Sequence, residues 1–152
     1  MVIGVISDTH GLLRPEAMAA LEGVDHILHA GDVGEISILE KLAAIAPVTA
    51  IRGNIDSAGP CAELPPTEVV ELGGRLFYLV HSVLDLDLHP AAAGISVVVS
   101  GHSHKASVEE RGGVIYLNPG SAGPRRFSLP VTVGFVSVGD GVEASVRELF
   151  VE

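Results

Sequence analysis

Seven side chains are of the kinds that hold hard or borderline divalent metals: Asp8, His10, Asp32, Asn54, His81, His102 and His104. Asp8 and His10 are two positions apart, as are His102 and His104, so in extended chain each pair points one way. A carboxylate such as Asp32 has two oxygens and can bridge two ions about 3.5–4 Å apart. Asn54 lends an amide oxygen, a ligand that adds no charge. Two carboxylates, two divalent ions and one bridging hydroxide sum to a formal charge of about +1, which suits a phosphodiester monoanion. Cys61 is the sole cysteine, so an internal disulfide is excluded and a thiolate zinc site disfavoured.

Other polar residues have less specific readings. His29 lies near Asp32 but belongs to a strand, so packing or a hydrogen bond to a ligand is expected. His26 and His89 are read as surface or loop residues. Asp56 either orients a loop or ligand through a hydrogen bond or is a solvated acid. Arg52 either reaches a substrate phosphate or pairs with nearby carboxylates, the structural role being preferred. Arg125 and Arg126 either shape a pocket mouth or form a solvated loop pair, the solvated reading being preferred.

The elements that must position these residues follow from apolar patterning. Residues 1–7, 25–29, 48–51 and 95–100 read as buried strands, each running into a polar loop that carries candidates. Two helices are expected, over 15–21 with Pro15 in its first turn and over 36–46 with apolar residues at helical spacing. Gly73-Gly74 marks a hairpin between strands 67–72 and 75–80, the second of which delivers His81. Gly112-Gly113 and Gly139-Asp140-Gly141 mark two more, joining 106–110 to 114–117 and 131–138 to 142–150. The stretch 84–94 suggests one helical turn about Pro90. Alternating strands and helices early, then hairpins, imply an α/β fold: two facing sheets with helices on both outer faces. Ligand sites in open α/β sheets form at the carboxyl ends of strands, and there the seven candidates would converge.

At 152 residues and 47% hydrophobic content the chain fits one domain, residues 1–152, with no repeat and no linker. No basic leader precedes Asp8 and no apolar run approaches membrane-spanning length, so the cytoplasm is the default compartment and no membrane partner is expected. Nine Lys and Arg against nineteen Asp and Glu give a formal charge of −10. Non-specific nucleic-acid binding needs cations on phosphates, so no nucleic-acid partner is expected. The hairpins and Val-rich strands would support a homo-oligomer, dimer or tetramer.

The blocks Asp8-Thr9-His10, Gly31-Asp32, Gly53-Asn54, His81 and Gly101-His102-Ser103-His104 resemble those of the calcineurin-like metallophosphoesterase superfamily. Ser7 to Gly11, Arg52-Gly53-Asn54-Ile55-Asp56 and Asn118-Pro119-Gly120-Ser121 look like its YfcE-type phosphodiesterases. The resemblance covers nearly the whole chain. It implies a four-layer α/β/β/α sandwich of two facing mixed sheets. It also implies two divalent metals, most often manganese, with nickel, iron or zinc as alternatives. By this likeness Asp8, His10 and His104 hold one ion, Asn54, His81 and His102 the other, and Asp32 bridges. Asp32, Asn54 and His102 form the catalytic set, His102 through contact with the phosphate. The implied reaction is hydrolysis of a small phosphodiester by a hydroxide bridging the metals. Phosphomonoester or nucleotide hydrolysis at the same site, and a non-catalytic scaffold on the same fold, are the alternatives. Two positions depart from the superfamily: Ile55, where a His often helps the leaving group depart, and Val80, where Gly is common.

Overall fold

The computed structural model describes residues 1–126 and 128–151. The first half alternates strand and helix: β1 (Val2–Ile6), α1 (Pro15–Ala20), β2 (His26–His29), α2 (Ile36–Ala43) and β3 (Val48–Ala50). Hairpins dominate the second half: β4 (Thr67–Leu72) with β5 (Arg75–Val80), β7 (Ser107–Arg111) with β8 (Val114–Asn118), and β9 (Thr132–Val138) with β10 (Val142–Glu148). Strand β6 (Ile95–Val99) lies between β5 and β8. Short 3₁₀ turns occupy Pro60–Glu63 and Val83–Asp85.

Two five-stranded mixed sheets result, β10-β9-β1-β2-β3 and β4-β5-β6-β8-β7. In the first, β1, β2 and β3 are parallel; in the second, β5, β6 and β8 are parallel. The period-two alternation of each strand decides which face is buried where. Ile3 and Val5 of β1 meet Phe77, Leu79, Val97 and Val99 of the second sheet in the central core. The opposite face of β1 turns Ile6 toward the helices, where Ala17, Leu21, Ile38 and Leu42 close a second core. A Cβ on Gly4 would stand 2.5 Å from the Leu21 side chain, so glycine sets how closely α1 can approach β1.

The expected sandwich of two facing mixed sheets is present, with its fourth layer thinner than expected. Tyr78, Val80, Ile95 and Val98 on the outer face of the second sheet are covered by Leu86 and Leu88. Those leucines lie beyond the 3₁₀ turn at Val83–Asp85, and no α-helix covers that face among the described residues. Pro90 and Gly94 interrupt the stretch and work against a continuous helix. A turn does form at Pro90, where Ile95 N–H donates to the Pro90 carbonyl. Helix α2 ends at Ala43, short of the expected residue 46, as the chain tightens toward Pro47. No helix among the described residues is long and apolar enough to cross a membrane.

Candidate metal centre

Parallel strands carry their carboxyl ends to one edge, and the loops there lock side by side. Asp8 N–H donates to the Gly31 carbonyl, His10 N–H to Asp32 and Gly11 N–H to Val33, at 2.9–3.0 Å. The third loop joins through Asp56, whose carboxylate accepts N–H bonds from Val33, Gly34 and Gly53 at 2.9–3.0 Å. The second sheet joins through His81, whose Nδ1 sits 2.7 Å from the Ala30 carbonyl.

Asp8, His10, Asp32, His102 and His104 all have positive φ, between 45° and 72°. This corrects the expectation that each Asp/His pair aligns through extended backbone. The left-handed region is sparsely populated by residues other than glycine, though Asp and His are enriched among the exceptions. Their concentration at the strand ends marks backbone held under strain by the surrounding loops. Close packing also explains the glycine that precedes several candidates. A Cβ on Gly53 would collide with the Asp32 carboxylate, and one on Gly101 with the Ser7 hydroxyl.

Each carboxylate is held by one oxygen and free at the other. Asp8 is fully buried; its Oδ2 accepts from the Ser7 hydroxyl at 2.7 Å and His102 N–H at 3.1 Å. Its Oδ1 has no donor among the described residues and lies 3.4–3.8 Å from Nε2 of His104, His10 and His81. Asp32 Oδ1 accepts the Ile55 N–H at 3.0 Å, while Oδ2 lies 3.2 Å from His81 Nε2 and 3.4 Å from His10 Nε2. With Nδ1–H donated to the Ala30 carbonyl, His81 turns Nε2 to both carboxylates, and no partner is in line with it. His10 Nε2 and His104 Nε2 face each other at 3.3 Å. His102 and Asn54 are exposed and joined at 3.1 Å, Nδ1 to Oδ1.

Electrostatics agree with that geometry. Burial pushes the Asp8 carboxyl up, and the Ser7 hydroxyl, His81 and His104 offset this only in part. Asp32 is brought down to about 2: burial opposes ionisation, but His81, the Ile55 N–H and His10 outweigh it. Burial works against a proton on His81 too, yet Asp32, the Ala30 carbonyl and Asp8 carry it above its ordinary value. Burial pushes His104 down, against the pull of Asp8.

This donor set fits divalent cations. Lone pairs face carboxylate oxygens in a buried space, an arrangement that demands a proton or a metal between them. Ligand atoms about 2.0–2.2 Å from a common centre lie about 3–3.5 Å apart, close to the separations found here. Two groups of donors lie within 4.8 Å of one another: Asp8, His10 and His104, and Asp8, Asp32 and His81. Asn54 and His102 flank the second group through the His81–His102 ring contact, 5.2 Å between centroids. All seven candidates are thus brought to one rim.

Of the supporting residues, His29 was expected in that role and Asp56 was one of two readings, whereas Thr9, Asn118 and Ser121 were not singled out for it. Fully buried His29 receives the Gly31 N–H on Nδ1 and lies 3.0 Å from Thr9 Oγ1 through Nε2, while the Thr9 hydroxyl donates to Val33. Asn118 donates to the Gly101 carbonyl and to Ser103 Oγ, and the Ser121 hydroxyl donates to the Asp8 carbonyl. The Asn-Pro-Gly-Ser block was the available signal, but a turn was all that its spacing implied. His26 is a half-buried strand residue bonded to Thr49, not a surface or loop residue. His89 is exposed, Asp56 is buried rather than solvated, and Arg125 and Arg126 are exposed. Arg52 plays a structural role of a different kind from the ion pair envisaged: it donates to the carbonyls of Ala62 and Leu64.

The chain matches the calcineurin-like phosphoesterase superfamily domain over residues 1–141. A probable metallophosphoesterase of Methanocaldococcus jannaschii is 34% identical, with 96% of this chain and 80% of that protein covered. Phosphodiesterase YfcE of Escherichia coli K12 is 29% identical over 86% of this chain and 84% of its own length. Zinc-complexed wild-type Vps29 of Entamoeba histolytica superposes with a TM-score of 0.74 at 22% identity, covering 97% of this chain and 99% of that one. At that identity the likeness speaks for the fold alone. The match to residues 1–141, together with a relative one-third identical along nearly the whole chain, makes this protein a member of the calcineurin-like phosphoesterase superfamily.

Proposed function

We propose that this protein is a metal-dependent phosphodiesterase that hydrolyses a small phosphodiester at a site for two divalent cations. The observation that carries the reading is buried His81 Nε2, 3.2 Å from Asp32 Oδ2 and 3.8 Å from Asp8 Oδ1, with neither Nε2 nor Asp8 Oδ1 in a hydrogen bond among the described residues. Asp8, His10 and His104 would hold one ion, and Asn54, His81 and His102 the other, with Asp32 shared. Manganese is the preferred occupant; nickel, iron and zinc suit the same donors. When bound, such a pair lowers the pKa of a water between them and neutralises charge on the phosphoryl oxygens.

The chain's own residues keep that site in order. Ser7 and the His102 N–H fix Asp8, the Ile55 N–H fixes Asp32, and Ala30 keeps the His81 proton on Nδ1, leaving Nε2 free. Asn54 and His102, exposed beside these buried groups, are the members a phosphate can reach from solvent. No nucleophile of the chain is required. A net charge of −10 favours a small diester over a nucleic acid.

Turnover of bis(4-nitrophenyl) phosphate and 4-nitrophenyl phosphate, with Mn²⁺ and then with EDTA, tests the reading. The expected result is diester hydrolysis that EDTA abolishes and Mn²⁺ restores. Faster turnover of the monoester would favour a phosphomonoesterase. Metal binding without turnover of either would favour a scaffold.

A further inference from the structure

A cavity of about 490 Å³ opens beside the rim, on the flank formed by Asn54, His81 and His102. Asp8, His10, Asp32 and His104 do not line it. A phosphoryl group resting at Asn54 and His102 would therefore direct one of its substituents into this space. The volume falls in the range of small-molecule sites, about 300–1,000 Å³, and exceeds what a methyl or ethyl ester would fill.

Leu84 and Asp85, from the 3₁₀ turn that follows His81, form part of its wall. Leu84 on that turn is 90% exposed yet lines the cavity, as do Val80 and Pro66. A lone exposed leucine is ordinary, but one lining a cavity that also holds a cluster of polar side chains is how binding sites are built. Charge in the lining is balanced. Arg52 is fastened to the carbonyls of Ala62 and Leu64. Asp85 has no ion pair among the described residues. With Arg52 and Asp85 offsetting each other, the walls hold no net positive charge to receive a second anionic group.

Building on the diesterase reading, we infer that this cavity is the subsite for one uncharged, ring-bearing substituent of the diester. Leu84 provides its apolar seat, and Asp85 offsets Arg52, so substituents that carry further negative charge gain no attraction there. The preferred substrate class is a phosphodiester monoanion with a neutral ring group; nucleotide chains and phosphorylated esters are selected against.

Phosphinates test this without turnover, since they keep the diester's single charge and have no ester bond to break. Calorimetry of the Mn²⁺-loaded protein would use diphenylphosphinate, dimethylphosphinate and bis(4-carboxyphenyl)phosphinate. The expected result is diphenylphosphinate binding at least about ten-fold tighter than dimethylphosphinate, as burial of one ring allows. Leu84→Ser should remove at least about five-fold of that advantage and leave dimethylphosphinate unchanged. Asp85→Asn should tighten the carboxylated compound by about three-fold or more and leave diphenylphosphinate unchanged. Both positions are exposed, so neither substitution challenges folding. Equal binding of the two uncharged-ring and ringless phosphinates, or variants that bind like the parent, would overturn the subsite while leaving the diesterase reading standing. A metal-loaded protein that binds no phosphinate would sink both.

Discussion

Asp56 and Val33 join two loops that are 23 positions apart: the Asp56 carboxylate accepts the Val33 N–H at 3.0 Å. The same carboxylate takes the N–H groups of Gly34 and Gly53, and Asp32 returns the link by accepting the Ile55 N–H. Asp56 therefore fixes Asp32 relative to Asn54. In Asp56→Asn an amide N–H₂ would face backbone donors, leaving at least one of the three without an acceptor. Outer partners of metal ligands are typically worth about 10–100-fold in affinity. We expect that loss at the Asn54–His81–His102 position, with affinity at the Asp8–His10–His104 position within about three-fold of the parent. Co²⁺ titration followed by visible absorption would resolve the two events, with a cooperative melt as the fold control. Equal weakening of both positions would mean that Asp56 acts only on general stability.

Removing a ligand should be far more damaging to activity than to the fold. Asp32→Asn keeps shape and the bond from Ile55 but loses a charge; His81→Ala removes the Nε2 turned to both carboxylates. Each should lower kcat/KM on bis(4-nitrophenyl) phosphate by at least about 10²-fold. Metal-free variants should still melt cooperatively but below the parent, because Asp32, its pKa held at about 2, and His81, bonded to the Ala30 carbonyl, each stabilise the folded chain. Mn²⁺ should raise the melting temperature of the parent and raise it less in either variant. Full activity in either variant would remove the residue from the site.

Much of this was legible in the sequence because residue type and spacing carried it. Gly73-Gly74 gave the β4–β5 hairpin with its bounds as observed, since two flexible residues between apolar runs allow few other conformations. The seven candidates could be read because each follows an apolar strand, and strand ends are where parallel sheets converge. What escaped depends on closure of the fold. Neither the positive φ of Asp8 and His10 nor the burial of Asp56 follows from local pattern, since each is imposed by a neighbouring loop. Residues 84–94 escaped for another reason: the cover they provide comes from Leu86 and Leu88 dropping onto Tyr78 and Val98, with no helical period to read.

Buried His29 predicts how the metal-free protein responds to acid. Burial holds its pKa at about 4, against 6.5 when unfolded. Between those values the unfolded chain binds a proton that the folded chain does not, so stability rises with pH across the window and is lost as pH falls. At pH 5 the group costs about 2 kcal/mol that it does not cost above pH 6.5, from about 1.36 kcal/mol per pH unit. Asn at this position keeps an acceptor for the Gly31 N–H but cannot take up a proton. His29→Asn should therefore be less stable than the parent at pH 7, with the gap closing by about 2 kcal/mol at pH 5. Urea unfolding at both pH values checks this, and parallel curves would show that His29 does not titrate on unfolding.

Ile55 sets a last expectation, about the leaving group. Its backbone N–H holds Asp32 at 3.0 Å, while its side chain, 42% exposed, follows Asn54 and has no proton to give. Departing alkoxide must then take its proton from water, a heavy burden for an alkyl oxygen and a light one for a nitrophenolate. Aryl phosphodiesters should therefore react much faster than alkyl ones, with kcat/KM falling steeply as the leaving group becomes more basic. Ile55→His leaves the backbone bond to Asp32 intact and adds a proton donor at the rim. Positioned general acids contribute about 10²–10⁴-fold. The variant should raise alkyl diester turnover by at least about 10-fold and change aryl turnover by less than about three-fold. Parent rates that are the same for aryl and alkyl esters would show that another group already protonates the leaving oxygen, and Ile55→His would then gain nothing.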